Sequence, residues 1–194
     1  MNPFVGTDGY GNVYPGAQIP FGGIQISPDT DSRFYDAASG YKYNHLTLMG
    51  FSLTHLSGTG IPDLGDFLFI PGTGEMKLEP GTHEDPDQGY RSRYSHDKEW
   101  ASPNYYAVEL ADYGVKAEMT SGVRSGMFRF TYPESDNAFI MIDMNHTLWQ
   151  SCEWSNLRMI NDSTITGYKL VKGWGPERHV SVSYTHLTLP TTSR

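Results

Sequence analysis

Residues 105–132 read Y-Y-A-V-E-L-A-D-Y-G-V-K-A-E-M-T-S-G-V-R-S-G-M-F-R-F-T-Y. Three runs, 105–110, 115–120 and 127–132, alternate apolar and polar residues. That period of two puts one side of each run in a core and the other in water, the pattern of a half-buried strand. Tyr113-Gly114 and Ser125-Gly126 separate the runs with turn residues. Strands following one another through such short turns predict an antiparallel sandwich.

The same signal continues outward. Residues 138–144 (A-F-I-M-I-D-M) are almost unbroken apolar and predict a strand buried on both faces. Residues 163–170 predict another strand. Upstream, 24–27 alternate and 66–71 (D-F-L-F-I-P) suit a buried strand. Residues 1–30 carry Gly6, Gly9, Gly11, Gly16, Gly22 and Gly23 with Pro3, Pro15, Pro20 and Pro28, a density that no helix survives. Residues 42–51 show no clean period, and 75–103 form a long polar excursion. No amphipathic helix stands out. The fold class read from the pattern is all-β, an antiparallel β-sandwich with few or no helices.

Bulk properties narrow the function. The 194 residues suffice for one domain with a real core. The 21 glycines and 12 prolines fit a turn-rich β fold. The 13 tyrosines, 9 phenylalanines and 4 tryptophans also fit sugar binding, where flat rings meet pyranose C–H faces. Net charge is −8, and the basic residues are scattered, with Arg91 and Arg93 the densest pair. Without a basic stripe, no nucleic-acid partner is expected. A lone cysteine, Cys152, excludes an internal disulfide framework. No apolar run has the length of a membrane span. The start, Met1-Asn2-Pro3-Phe4, carries no secretory signal pattern and is read as a mature N-terminus or a truncation.

The last stretch departs from the rest. Residues 182–187 (V-S-Y-T-H-L) resemble an in-frame translation of a transposon-end sequencing adaptor. Native sequence is therefore expected to end near Ser181, with 182–194 an artefactual tail; a normal terminal strand is the alternative.

Candidate chemistry is sparse. Asp63 with Asp66, and Asp29 with Asp31, have the spacing either of cation ligands or of turn-forming acids. No EF-hand loop is present. The seven histidines, His45, His55, His83, His96, His146, His179 and His186, show no zinc-ligand spacing. A nucleophile elbow is absent. Gly9-Tyr10-Gly11 and Gly58-Thr59-Gly60 lack the rest of any phosphate-binding pattern. The most informative stretch is 51–66, F-S-L-T-H-L-S-G-T-G-I-P-D-L-G-D. Gly58 and Gly60 permit positive φ and close approach of a ligand, Pro62 stiffens the exit, and Thr59 and Asp63 offer polar groups. Such a loop either presents itself to sugar hydroxyls or is a tight, self-bonded connection between strands. Pattern alone leaves both open.

That stretch, together with N-P-F-V-G-T-D-G-Y-G-N-V-Y-P-G-A-Q-I-P-F-G-G-I-Q-I-S-P-D-T (2–30), A-S-G-Y-K-Y (38–43), S-H-D-K-E-W-A-S-P-N-Y-Y-A-V-E-L (95–110) and G-Y-K-L-V-K-G-W (167–174), resembles glycoside hydrolase family 92. The matches span nearly all of residues 2–180. The resemblance implies calcium-dependent exo-α-mannosidases acting with inversion, mostly bacterial and typically periplasmic or secreted. It implies a supersandwich-like N-terminal domain, here 1–181, packed on a long catalytic (α/α)6-barrel domain absent from this chain. The two catalytic carboxyl groups and the main Ca²⁺ ligands would lie in that C-terminal helical partner, so no catalytic or metal-binding residue is assigned here.

What the resemblance assigns to the sandwich is contact with mannose-containing glycans. The residues are Gly58, Thr59, Gly60 and Asp63 in the loop, Phe21 and Gly22 in the P-F-G turn, and Tyr35, Ser39 and Tyr41 around A-S-G-Y. His55 and Asp66 are read as structural. Family members often carry a tryptophan and a cysteine just before S-G-Y, where this chain has F-Y-D-A-A. Tyr35 would replace that aromatic platform near the leaving sugar. Phe128 stands where a histidine is common and is read as core. Three hypotheses follow: a mannosidase domain inactive by itself, a free-standing carbohydrate-binding module, and a purely structural sandwich.

Overall fold

The structure, a computed structural model, describes residues 2–33, 35–173 and 179–188. Its strands are β1 (Ala17–Gln18), β2 (Gln25–Asp29), β3 (Thr47–Leu48), β4 (Gly50–Ser52), β5 (Leu68–Thr73), β6 (Ser92–Arg93) and β7 (Glu99–Ser102). They continue with β8 (Tyr105–Leu110), β9 (Val115–Ser121), β10 (Gly126–Thr131), β11 (Ala138–Asp143), β12 (Ser151–Asn161), β13 (Thr164–Lys172) and β14 (His179–His186). Among the described residues the only helical pieces are three 3-10 turns, at Tyr35–Ala37, Pro86–Gln88 and His96–Lys98. The all-β class is as the sequence predicts.

Two sheets make the sandwich. One has the order β1-β2-β4-β5-β11 and the other β10-β9-β8-β7, all neighbours antiparallel. The alternation in 105–121 now has its cause. Tyr106, Val108, Leu110, Val115, Ala117 and Met119 all point inward, where they meet Ala17, Ile26 and Phe51 of the opposing sheet. Burying an apolar side chain of this size contributes about 1.5–3 kcal/mol. Phe128, read as core, is half-buried and packs against the same cluster, 5.0 Å from the ring of Phe69. A smaller cluster of Met49, Leu68, Ile70 and Tyr90 also forms, with Met141 of β11 against it.

Two elements depart from expectation. Residues 138–143 do form a strand, but not one buried on both faces. β11 is the edge of its sheet, paired only with β5, and Ile140 remains partly exposed. Its apolar run reflects an edge position with incomplete cover in this chain. The second departure is β12, eleven residues long, which pairs with β13 in a third sheet of order β12-β13-β14. That sheet exposes Trp154, Leu157, Met159, Ile160, Tyr168, Val180, Val182 and Tyr184. Residues 182–186, inside the segment expected to be a tail, pair with β13 in the same register as 179–181. Residues 189–194, and Trp174 of the G-Y-K-L-V-K-G-W stretch, lie outside the described residues.

Candidate functional site

The loops of interest are gathered by one buried carboxylate. Asp29 ends β2 and is fully buried. One oxygen lies 2.7 Å from Nε2 of His55, the other 2.9 Å from Nε2 of His146. Nδ1 of His55 lies 2.7 Å from the carbonyl oxygen of Gln25. Nε2 also lies 3.0 Å from the Ser52 hydroxyl, so both ring nitrogens have polar partners. Burial pushes the Asp29 carboxyl up, but the charges and hydrogen bonds of His55 and His146 outweigh it and hold the group well below the usual carboxylate range.

This carboxylate also explains the glycine in A-S-G-Y. Gly40 has φ +83°, and a Cβ there would stand 2.1 Å from Oδ1 of Asp29. Only glycine lets the backbone lie against the acid. Its carbonyl then accepts from the amide of Thr30 at 2.6 Å. Next to it, Ser39 and Tyr41 turn inward. Both are buried, and the Tyr41 hydroxyl donates to Glu99 at 2.9 Å.

The loop of 54–66 springs from His55. Gly58 and Gly60 both have positive φ, and the Gly58 amide donates to the carbonyl of Asn12 at 2.6 Å. Gly58 and Thr59 are exposed at the tip. Behind them Asp63 is buried, accepting from the amide of Leu64 at 2.8 Å. Asp66 is buried too. It accepts from Thr54 at 3.1 Å and Ser181 at 2.6 Å, and pairs with the buried ammonium of Lys169 at 3.3 Å. Asp31 accepts from the amides of Ser32 and Arg33 at 2.7 and 2.9 Å and faces His83 at 3.3 Å. The acid pairs flagged in the sequence thus serve the protein's own donors. Among the described residues no group of three His, Cys, Asp or Glu side chains could hold a metal ion.

A second loop, 144–150, completes the wall. The Leu148 amide donates to the carbonyl of Leu64 at 3.0 Å, and Nε2 of Gln150 donates to that of Pro62 at 3.3 Å. Gly65, with φ +75°, accommodates the crossing, since a Cβ there would stand 2.7 Å from Cγ of Leu148. Trp149 is half-exposed and lies 5.1 Å from the ring of Tyr35, tilted by 46°. Tyr35 is itself exposed on the first turn after Asp31. Sequence reasoning missed Trp149. The available signal was a tryptophan in the polar stretch that follows a predicted strand.

Tyr35 and the loop of 58–63 are therefore joined through residues 148–150. Ser39 and Tyr41 support them from inside. Phe21 and Gly22 stand apart, beside Val123, whose carbonyl accepts from the Gly23 amide at 2.8 Å. Phe21 is fully exposed with φ +60°, in a turn closed by the Gly22 amide on the carbonyl of Ile19 at 3.1 Å. A phenylalanine held in that conformation and left in solvent is an outlier of the kind that functional sites keep.

Fold and site together define an antiparallel sandwich presenting a rigid, aromatic and polar loop surface. The chain belongs to glycosyl hydrolase family 92, matching the family's N-terminal domain over residues 1–191. An α-mannosidase of this family from Bacteroides thetaiotaomicron is 96% identical over 95% of this chain, with a TM-score of 0.90. That mannosidase has also been solved in complex with mannoimidazole. The family 92 glycosyl hydrolase ccman5 is 29% identical over 95% of the chain, with a TM-score of 0.74. An uncharacterized secreted glycosidase from Arthroderma benhamiae is 28% identical over 138 residues, 70% of this chain. The chain spans only part of each relative: 24% of the mannosidase, 25% of ccman5 and 17% of the fungal protein.

Proposed function

We propose that this chain is the substrate-lining N-terminal domain of a calcium-dependent exo-α-mannosidase that removes terminal α-mannose from glycans with inversion. The reading rests first on one observation. The tip of 58–63 is tied through Gln150 to the loop that sets Trp149 against Tyr35, which makes a fixed rim of backbone groups and rings. Such a rim orients sugars by their hydroxyls and C–H faces. The identity with a solved α-mannosidase supports the choice of sugar.

Inversion requires a carboxylic acid to protonate the leaving oxygen and a carboxylate to activate water, about 6.5–9.5 Å apart. Both belong to the helical domain outside this chain, and the chain alone is inactive. The role of its residues is to bind and orient: Gly58, Thr59 and Gly60 on one side with the buried Asp63 behind them, Tyr35 beneath the leaving sugar, Phe21 and Gly22 at a separate edge, with Ser39 and Tyr41 holding the scaffold. In this reading the calcium ion is held mainly by the helical domain. The third sheet, apolar on its surface, supplies the face on which that domain packs. The name of the fungal relative supports export, and no helix of the described chain is long and apolar enough to cross a membrane.

The test compares Thr59→Ala and Asp63→Ala with the wild-type full-length protein on α-mannobiose. Raised KM is expected in both, with calcium required throughout. Unchanged kinetics would reduce the sandwich to a structural role. Hydrolysis by the 194-residue chain alone would overturn the proposal, and tight mannoside binding by that chain would mark it as a free-standing binding module.

A further inference from the structure

In the proposed function Trp149 sets the ring of Tyr35, and the depression beside it has no role. The depression has a volume of about 490 Å³ and is lined by Ser32, Arg33, Asn145 and Gln150 as well as Trp149. That volume is within the range of small-ligand sites.

We propose that it is a second sugar-binding position, taking a neutral hexose of the glycan beyond the residue that lies over Tyr35. This deepens the mannosidase reading and rests on it. Three observations carry it. First, the charges around the depression are already engaged. Asp143 accepts from the Tyr90 hydroxyl at 2.9 Å and from the amides of Asn145 and His146 at 2.8 and 3.1 Å, and Arg33 lies 3.7 Å from Asp31. The amide side chains and the Ser32 hydroxyl offer neutral donors and acceptors, suited to sugar hydroxyls rather than to an ion. Second, Trp149 has φ +69°, a conformation a bulky residue rarely adopts. Its amide donates to the carbonyl of Ser32 at 2.7 Å, and the Thr147 hydroxyl closes the loop on the carbonyl of Gln150 at 2.6 Å. The backbone that carries the indole is thus held in place, and the ring rests on Tyr35 with part of it in solvent, a preorganised platform of the kind that stacking on a pyranose face needs. Third, the position is continuous with the first. Tyr35 touches Trp149, and Gln150, which lines the depression, holds Pro62 at the base of the tip.

The experiment uses the full-length protein with two substrates, α-mannotriose and α-mannosyl fluoride, whose leaving atom reaches neither ring. In Trp149→Ala the KM for α-mannotriose should rise about tenfold, the loss of one stacked ring contact. The KM for the fluoride should rise far less, since no sugar of that substrate lies over either ring. Trp149→Phe, which keeps a ring, should recover part of the loss. Equal effects on both substrates, or no effect on either, would overturn the proposal. Should the wild-type protein cleave neither substrate, the mannosidase reading fails. Calorimetric binding of α-mannotriose, weakened in Trp149→Ala or unchanged, would still decide the sugar position. Thermal unfolding of each variant separates a lost contact from a damaged fold.

Discussion

Nε2 of His146 lies 2.9 Å from a carboxylate oxygen of Asp29, a residue 117 positions away in the chain. The other oxygen is taken by His55, 26 positions away. One acid therefore fastens a strand end, the loop of 54–66 and the loop of 144–150. Replacing it with alanine takes from two buried imidazoles the carboxylate that each faces. Breaking a buried pair in this way costs on the order of 3–5 kcal/mol. Asp29→Ala should lower the urea midpoint of the full-length protein accordingly. An unchanged midpoint would show that the loops are held by other means.

Acid should weaken the same region. Burial raises the Asp31 carboxyl, but the hydrogen bond of His83, the Arg33 amide and the nearby charges bring it from 3.8 to about 2. Asp29 is also held low, burial being outweighed by His55 and His146. Carboxyls depressed by folding contribute stability that is fully present above their unfolded values and lost as pH falls through the folded ones. The melting temperature should be level above about pH 4 and drop between about pH 4 and 2. In Asp31→Asn the drop should be shallower. A melting temperature that rises over that interval would contradict the assignment.

Two glycines with positive φ should respond differently to alanine. At Gly40 a Cβ meets Asp29 Oδ1 at 2.1 Å, whereas at Gly58 it meets nothing within 4 Å. Gly58→Ala carries the conformational cost alone, about 1 kcal/mol. Gly40→Ala adds a clash with the buried acid and should be much the more destabilising. Comparing the two melting temperatures checks this, and equal losses would deny the close packing of Gly40 on Asp29.

The exposed face of β12–β14 makes a prediction for the 194-residue chain by itself. Patches of large apolar side chains on a free surface promote association. The isolated chain should self-associate in size-exclusion chromatography and bind a hydrophobic dye. Leu157→Glu with Met159→Glu should reduce both. A monodisperse, cooperatively melting chain with no dye binding would count against a docking face.

Residues 105–132 were legible because each strand there has one face in the core and one outside, and alternation records that division. Residues 138–143 were half legible. Their apolar run announced a strand, but a run cannot say whether both faces find cover, and β11 lies at an edge. β12 was not legible. Its register shifts between Cys152 and Trp154 and between Met159 and Asn161, which breaks the alternation, and its large apolar side chains stay largely exposed among the described residues. For the site, glycines and prolines marked the loop of 54–66, but the resemblance rather than the pattern assigned it to a ligand. The His55–Asp29–His146 contact rests on separations that no local pattern encodes. Ser39 and Tyr41 sit in a polar-aromatic stretch whose inward turn depends on Gly40 meeting Asp29.

The third sheet also has a meaning in time. In a relative of which this chain spans 24%, the N-terminal domain leaves the ribosome first. At about 5–20 residues per second, the remaining three quarters take on the order of a minute to follow. Through that interval a face like that of Trp154, Leu157 and Met159 in this chain would wait uncovered. On the proposed packing, a sheet that ends as an internal seam is, during synthesis, an exposed apolar surface of the kind that chaperones bind.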